Sequence, residues 1–374
     1  MYKFKIIMVK LVWDEKENIT NKIEKLKKKY LERFKITEIR SNFSKKYDKN
    51  KIISSNWTNK LFWGDNLKVS SYLLNSYKGK IDLIYIDPPF FSGSNYHIKI
   101  KENDLDYDSI AYYDHWENNL DSYLQMLYER IILFKELLSK TGLIFVHIDW
   151  HASHYIRLIL DEVFGQNRFV NNIIWYYYNK YSAGKKNLPR AHDDILAYSK
   201  TKNYTFNELR IKRKKPKKQL RREMVNGVLK NVKDEKGHVI YRIVNDKKMD
   251  DIWKIPCLQP ASNQWTGFPT QKHHKLLERI IKLGSNKGDI IADFFCGSGT
   301  TLLAAEKLNR KWIGCDISEN SIYLTHKRLI DYLKKKKERS TTIYPIEFYM
   351  NLNTKHIEII KSGFFDKELK FKRK

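Results

Sequence analysis

Asp293-Phe294-Phe295-Cys296-Gly297-Ser298-Gly299-Thr300-Thr301 is the stretch on which the fold turns. It closes the apolar run Asp289 to Phe294 and opens a segment, Thr300 to Leu308, with apolar residues at helical spacing, so it reads as the turn between a strand and a helix. Glycines at 297 and 299 let the backbone turn sharply and leave the first N–H groups of the helix facing a ligand. Leu302 stands where a third glycine would complete G-x-G-x-x-G, and no Gly-Lys-Ser/Thr follows, so neither the dinucleotide nor the nucleotide-phosphate pattern is met. The next strand, Trp312 to Asp316, ends on an acid about twenty residues past the loop, where a carboxylate accepts hydrogen bonds from both hydroxyls of a ribose. Loop and acid together indicate a nucleoside-bearing cofactor.

The same rhythm extends outward. Lys60 to Gly64 and Ile81 to Ile86 read as strands, and the second stops at Asp87-Pro88-Pro89-Phe90 because proline cannot continue a ladder. A helix from Trp116 to Ser139, a strand Leu143 to Ile148, a helix Ser153 to Phe164, strands Phe169 to Tyr177 and Asp194 to Tyr198, and a helix His273 to Leu283 complete the alternation. The expected fold is α/β, a doubly wound and mostly parallel sheet carrying an insertion. Five segments follow: a helical arm over 1–56, with Ile23, Leu26, Tyr30 and Phe34 at helical spacing between about Asn18 and Phe43; a first half over 57–201; a basic insertion over 202–252; a second half over 253–333; and a basic tail over 334–374.

Lys and Arg number 71 against 43 Asp and Glu, a formal net charge of +28 that draws in polyanions, nucleic acid first among them. The charge concentrates in the insertion, where nine of the thirteen residues from Arg210 to Arg222 are basic. Hydrophobic residues make up 42% of the chain, too many for a disordered one. The three cysteines, Cys257, Cys296 and Cys315, show neither metal-ligand spacing nor a disulfide framework, so a reducing, cytoplasmic setting and no metal are expected. Lys3, Lys5 and Lys10 break up the first apolar residues, unlike a signal peptide, and no run reaches the roughly 20 apolar residues that span a bilayer.

Asp87 to Phe90 carries a second chemistry. An exocyclic amine on an aromatic ring is a poor nucleophile, because its lone pair is delocalised. A carboxylate at Asp87 and the carbonyl of Pro88, held rigid by Pro88 and Pro89, would pull on its two hydrogens and return electron density to nitrogen, while Phe90 stacks on the ring.

Together these features resemble the amino-group DNA methyltransferases of the permuted, beta order. The likeness covers roughly Leu61 to Tyr198 and Asp251 to Ile330 and rests on five elements in the family's order: Gly64-Asp65-Asn66, Asp87-Pro88-Pro89-Phe90, His147-Ile148-Asp149-Trp150, Phe268-Pro269-Thr270-Gln271-Lys272, and Asp293 to Thr301. It implies a Rossmann-like, circularly permuted fold that takes a methyl group from S-adenosylmethionine. Asp65 would meet the cofactor's adenine end, Asp316 its ribose, and Thr270 with the glycine loop its methionine end; Gln271, Lys272, Asp293, Phe295, Cys296, Gly297, Ser298, Gly299, Thr300 and Thr301 complete the implied cofactor set. Phe90, Phe294 and His273 stand where the family often has Tyr, Pro and Pro.

The implied target is adenine N6 in a flipped-out base of double-stranded DNA, with Asp rather than Ser at 87 tilting away from cytosine N4. An RNA methyltransferase and an inactive DNA-binding paralogue are the other readings. Tyr96, Trp150, Trp175 and Tyr177 are candidates to replace lost stacking, and Lys185, Lys186, Arg190, Arg210, Lys212, Arg213, Lys214 and Lys215 are candidates to contact DNA. A cognate restriction endonuclease and a homodimer are the further partners considered, and no membrane. All of this requires residues 87–90 to lie beside the glycine turn at 297–299.

Overall fold

The computed structural model describes residues 11–13, 16, 23–26, 37–41, 57–91, 93, 95–102, 105–113, 119–180, 186–336, 346–350 and 369–372. The chain divides into two compact units, Met1–Phe206 with Ile252–Lys374, and Asn207–Asp251.

In the larger unit eleven strands among the described residues form one sheet. Their spatial order is β13 (Ile252–Lys254), β7 (Phe169–Tyr176), β8 (His192–Ser199), β6 (Leu138–Ile148), β3 (Ile81–Ile86), β14 (Ile290–Asp293), β15 (Lys311–Asp316), β2 (Asn59–Trp63), β16 (Ile346–Met350), β1 (Thr37–Ser41) and β17 (Leu369–Lys372). Pairing is parallel from β6 through β3, β14, β15 and β2 to β16, while β8 runs antiparallel to both β6 and β7. A separate antiparallel hairpin joins β4 (Asn95–Glu102) to β5 (Leu105–Tyr113).

Parallel strands need crossover helices, and these cover both faces. The helices α1 (Asn66–Tyr77), α2 (Leu120–Leu137) and α3 (Ser153–Phe164) share one core with Ile84, Ile86, Ile144 and Val146. Alternate residues serve the other face, where α4 (His274–Gly284) packs so closely that a Cβ on Gly284 would lie 2.9 Å from Leu83 and 3.0 Å from Phe145. The helices α5 (Thr300–Lys307) and α6 (Glu319–Lys336) follow the glycine loop and β15. No helix among the described residues is long and apolar enough to cross a membrane.

Two terminal expectations change. The helical arm is helical over the described Ile23–Leu26, with Leu26 buried, but Thr37–Ser41 is a strand paired antiparallel with β16 and β17. Tyr30 and Phe34 lie outside the described residues. The tail expected over 334–374 begins inside α6 and supplies β16, which buries Ile346 and Phe348 and sets Glu347 3.0 Å from Lys60. Backbone pairing with a strand distant in the sequence outweighs local composition at both ends.

The smaller unit is a β structure of its own. Strands β9 (Arg210–Leu220) and β12 (Tyr241–Lys248) pair antiparallel, and β10 (Arg222–Val225) and β11 (Val228–Asn231) form a hairpin. Asn226 (φ 52°) and Gly227 (φ 77°) supply its two left-handed turn residues. Val244 faces Lys217 while Asp246 faces Lys212, so the ladder is irregular across Arg213–Pro216, where Pro216 has no N–H to give.

Ile84 lies fully buried on the central strand, so Ile84→Ala should lower unfolding stability by about 2–5 kcal/mol, read as a shifted urea midpoint.

Candidate active site

The parallel register of β3 and β14 sets Asp293 opposite Tyr85, so the two strands end at one edge of the sheet and release Asp87–Phe90 and Phe294–Gly299 side by side. A cavity of about 940 Å³ opens there. Asp87, Pro88, Pro89 and Phe90 line it, as do Asp65, Thr270, Gln271, Lys272, Asp293, Phe295, Cys296, Gly297, Ser298, Thr300, Thr301 and Asp316. Gly299 alone among the expected cofactor residues stands behind the wall, as the left-handed cap of α5 (φ 73°). A Cβ there would come within 2.6 Å of Thr325, which leaves the position to glycine.

The loop is held from below. Gly297 N donates to Asp316 Oδ2 (2.8 Å), Thr325 Oγ1 donates to the Gly297 carbonyl (2.9 Å), and Arg328 donates to the Ser298 carbonyl and to Thr300 Oγ1. Asp316 also accepts from Ser318 N at 2.8 Å, so it shapes the turn while lining the pocket. Asp65 caps α1 by accepting from Leu67 and Lys68, and its other oxygen accepts from Arg130 (3.1 Å), whose Nε reaches Asn66 Oδ1 at 2.5 Å. Thr325, Arg328 and Arg130 carry no motif and are recognisable only as polar residues on apolar helix faces.

Burial dominates the electrostatics of this wall. It pushes the carboxyl of Asp293 up to about 7, against hydrogen bonds from Thr301 and Phe295 N, and it also raises Asp316. Burial raises the thiols of Cys296 and Cys315 well above the ordinary value, so Cys296 is a protonated filler and not a nucleophile.

At the other wall Lys272 forms an ion pair with Asp87 Oδ2, both side chains being largely buried. Asp87 Oδ1 is buried without a hydrogen-bond partner, 3.7 Å from His147 Nδ1. Tyr123 donates to the Pro89 carbonyl at 2.8 Å and pins the two prolines. The ring of Phe90 lies 5.3 Å below Lys272 Nζ and 5.7 Å from the His147 ring. His147 in turn touches Tyr85 Oη (2.8 Å) and Asp193 Oδ2 (3.1 Å), and Tyr177 donates to Asp193 Oδ1 (3.0 Å). The sequence reading expected Lys272 to serve the cofactor; its ammonium lies on the carboxylate. It passed over Tyr85, Tyr123 and Asp193 altogether, which sit in strands and helices with no local signature.

Among the stacking candidates, Trp175 and Tyr177 line the cavity, with Trp175 donating to the Ile255 carbonyl at 2.8 Å. Trp150 is exposed under the Arg190 guanidinium, 3.7 Å from its ring. The side chain of Tyr96 and the whole of Lys185 lie outside the described residues. Lys186 and Arg190 are exposed. In the smaller unit Lys212, Lys214 and Lys215 are exposed, Arg210 bridges Glu208 (2.6 Å) and Asp246 (2.8 Å), and Arg213 donates to the Asp246 carbonyl (3.0 Å).

A cavity whose floor is a glycine turn capped by an acid, and whose wall carries an unpartnered carboxylate oxygen, has the parts of a methyl-transfer site. The family model described as DNA methylase, of the N6/N4 methyltransferase type, matches residues 81–327. The chain belongs to this DNA methylase family. It is 29% identical over 314 residues to the type II methyltransferase M.EcaI of Enterobacter cloacae, covering 70% of this chain and 67% of that one. It is also 29% identical over 269 residues to the DNA adenine methyltransferase YhdJ of Escherichia coli strain K12, covering 70% and 82%. The crystal structure of the M1.HpyAVI-SAM complex superposes with a TM-score of 0.47 at 21% identity, over 72% of this chain and 98% of that one.

The raised carboxyl of Asp293 sets a pH dependence. Its folded-state value lies above the ordinary 3.8, so the native state holds the extra proton and stability falls as pH rises from about 4 to about 7. Asp293→Asn should flatten that decline in urea titrations of the ligand-free protein.

Proposed function

We propose that this chain methylates adenine N6 in double-stranded DNA, with Asp87 and the Pro88 carbonyl as the acceptors that activate the amine. The observation that carries the reading is Asp87 Oδ1: a buried carboxylate oxygen without a hydrogen-bond partner costs stability unless a donor arrives, and an exocyclic amine is such a donor. Lys272 occupies Oδ2, which leaves Oδ1 as the oxygen presented to the amine and stabilises its charge.

S-adenosylmethionine is the methyl donor, supplying an electrophilic methyl on a cationic sulfur. The cavity suits it. The carboxylates of Asp65 and Asp316 offer acceptors for its adenine and ribose, Thr270 with the Phe295–Ser298 backbone flanks its amino-acid end, and the acid-lined wall favours its positive charge. Phe90 is placed to stack on the target base, with Trp175 and Tyr177 as further rings of the pocket. A base reaches such a pocket only after leaving the duplex stack.

The Asn207–Asp251 unit is assigned to target recognition, with exposed Lys212, Lys214 and Lys215 on phosphates and Arg210 and Arg213 bracing the strands that carry them. Lys186 and Arg190, exposed on the larger unit, are assigned to the DNA backbone. The likeness to the type III restriction-modification enzyme StyLTI Mod subunit of Salmonella typhimurium supports a place in a restriction-modification system, with an endonuclease as partner. A cytoplasmic setting and a homodimeric assembly complete the proposal, the first supported by three free cysteines.

Asp87→Ala should abolish methyl transfer while cofactor affinity stays within about threefold, measured by tritium incorporation and by calorimetry. Retained activity would overturn the mechanism. Sequencing of modified bases in DNA from cells expressing the chain should report N6-methyladenine at one recurring sequence; N4-methylcytosine instead would move the target to cytosine. DNA affinity should fall steeply with salt, and removing Lys212, Lys214 and Lys215 together should reduce the slope of log K on log salt by about 2–3.

A further inference from the structure

Behind the Asp87 carboxylate stands a side chain with no part in binding the amine. His147 is fully buried at the end of β6, enclosed by the edge of Trp175 (ring centroids 5.3 Å apart) and by Phe90. Its tautomer follows from its neighbours. Burial works against the charge of Asp193, yet the hydrogen bond from His147 and the nearby Lys272 hold its carboxyl below the ordinary range. An ionised carboxylate only accepts, so the hydrogen at 3.1 Å belongs to His147 Nε2. Burial beside Asp87, Asp293 and Asp193 raises the Tyr85 phenol well above its ordinary value, so that hydroxyl keeps its proton and donates it to Nδ1 at 2.8 Å. With Nε2–H given to Asp193 and Nδ1 accepting from Tyr85, the ring sets Nδ1 3.7 Å from Asp87 Oδ1, with no hydrogen bond between the two.

Two buried acceptors facing each other lack a proton, and the reaction releases one. We propose that His147 is the store for the proton lost by the target amine, passed on by Asp87 and held in place by Asp193 and Tyr85. The inference rests on Asp87 being the amine's acceptor. The balance is as follows: the amine lone pair forms the N–C bond, the S–CH₃ bond breaks with its electrons staying on sulfur, and the N–H bond breaks as its proton moves to Asp87 Oδ1 and then to His147 Nδ1. Tyr85 reverses its hydroxyl and accepts from the new N–H. The imidazolium lies between Asp87 and Asp193, so the positive charge that arrived on sulfur stays among the same carboxylates. A carboxylate alone is too weak a base to keep a proton at neutral pH, whereas an imidazole can. The charged or titratable groups around the ring are Tyr85 and Asp87 from the β3 end, Asp193 and Tyr177 from the β7–β8 side, Lys272, Asp149 and, behind Tyr85, Asp293.

His147 is a positioning and relay residue, so the test reads pH as well as rate. In single-turnover methylation the wild-type rate should fall on acidification, as the store fills before reaction. His147→Gln should slow transfer by roughly 100-fold, lose that acid limb, and bind the cofactor and DNA within about twofold of wild type. An unchanged rate with an unchanged pH profile would overturn the proposal. Histidine-selective ¹⁵N spectra of the wild-type chain give a second test that needs no turnover and no variant. The Nε2–H tautomer is expected for His147, and an Nδ1–H tautomer would end the proposal. A wild-type chain that transfers no methyl group to DNA would instead remove the functional reading on which the inference rests.

Discussion

The pairing of β14 with β3 is the constraint on which the site depends. Ile291, Ala292 and Asp293 lie in parallel register with Leu83, Ile84 and Tyr85, so two chain segments some two hundred residues apart leave the sheet at the same level and in the same direction. Neither loop has to be held by the other. Each begins on a buried strand, and the distance between the glycine turn and the Asp-Pro-Pro-Phe turn is set by the spacing of adjacent strands, about 4.8 Å. This is where a doubly wound sheet reverses its order and opens a crevice at the carboxyl ends of its strands. It also explains why a permuted motif order is compatible with function: moving the chain ends changes which segment comes first and leaves the register untouched.

The second requirement is to keep many carboxylates together. Asp65, Asp87, Asp193, Asp293 and Asp316 line one cavity, which would be costly if all were ionised and unpaired. Three devices relieve it. Lys272 pairs with Asp87 and Arg130 with Asp65. Backbone N–H groups from Gly297 and Ser318 serve Asp316. Asp293, with neither cation nor more than one backbone donor among these contacts, is the acid whose carboxyl burial drives to about 7. The wall is thus negative where a cationic sulfonium would lie and neutralised by proton uptake at its most buried point.

Most of the sheet was legible because its strands are apolar runs cut off by Pro88, Gly297 or Asp316, and its helices show a 3.6 period. The ends were not. Thr37–Ser41 and Ile346–Met350 are short and sit in Lys-rich surroundings, and they become strands because β2 offers an edge to Ile346–Met350, which in turn pairs with Thr37–Ser41 far back along the chain. Within the site, the residues that announce themselves are those whose chemistry demands a local motif: glycines at positive φ, prolines that stiffen a turn, an acid at a strand end. His147 opens one of the quoted motif segments, but its partners Tyr85 and Asp193 come from two other strands with no local pattern to link them; only the register of β3, β6 and β8 brings the three together.

That distinction bears on how the site divides its labour. Most motif residues line the cavity and tolerate little change of backbone. The residues behind them set protonation and tautomer, and they do so from interior strand positions, which are the stiffest in the fold. A hydroxyl at 2.8 Å and a carboxylate at 3.1 Å leave the His147 ring no freedom to turn, so the direction of its basic nitrogen is decided by the sheet itself. The surroundings of Asp87 are therefore not confined to the Asp-Pro-Pro-Phe turn: its carboxylate is paired on one oxygen with a lysine from the segment before α4 and faced on the other by an imidazole from the neighbouring strand β6.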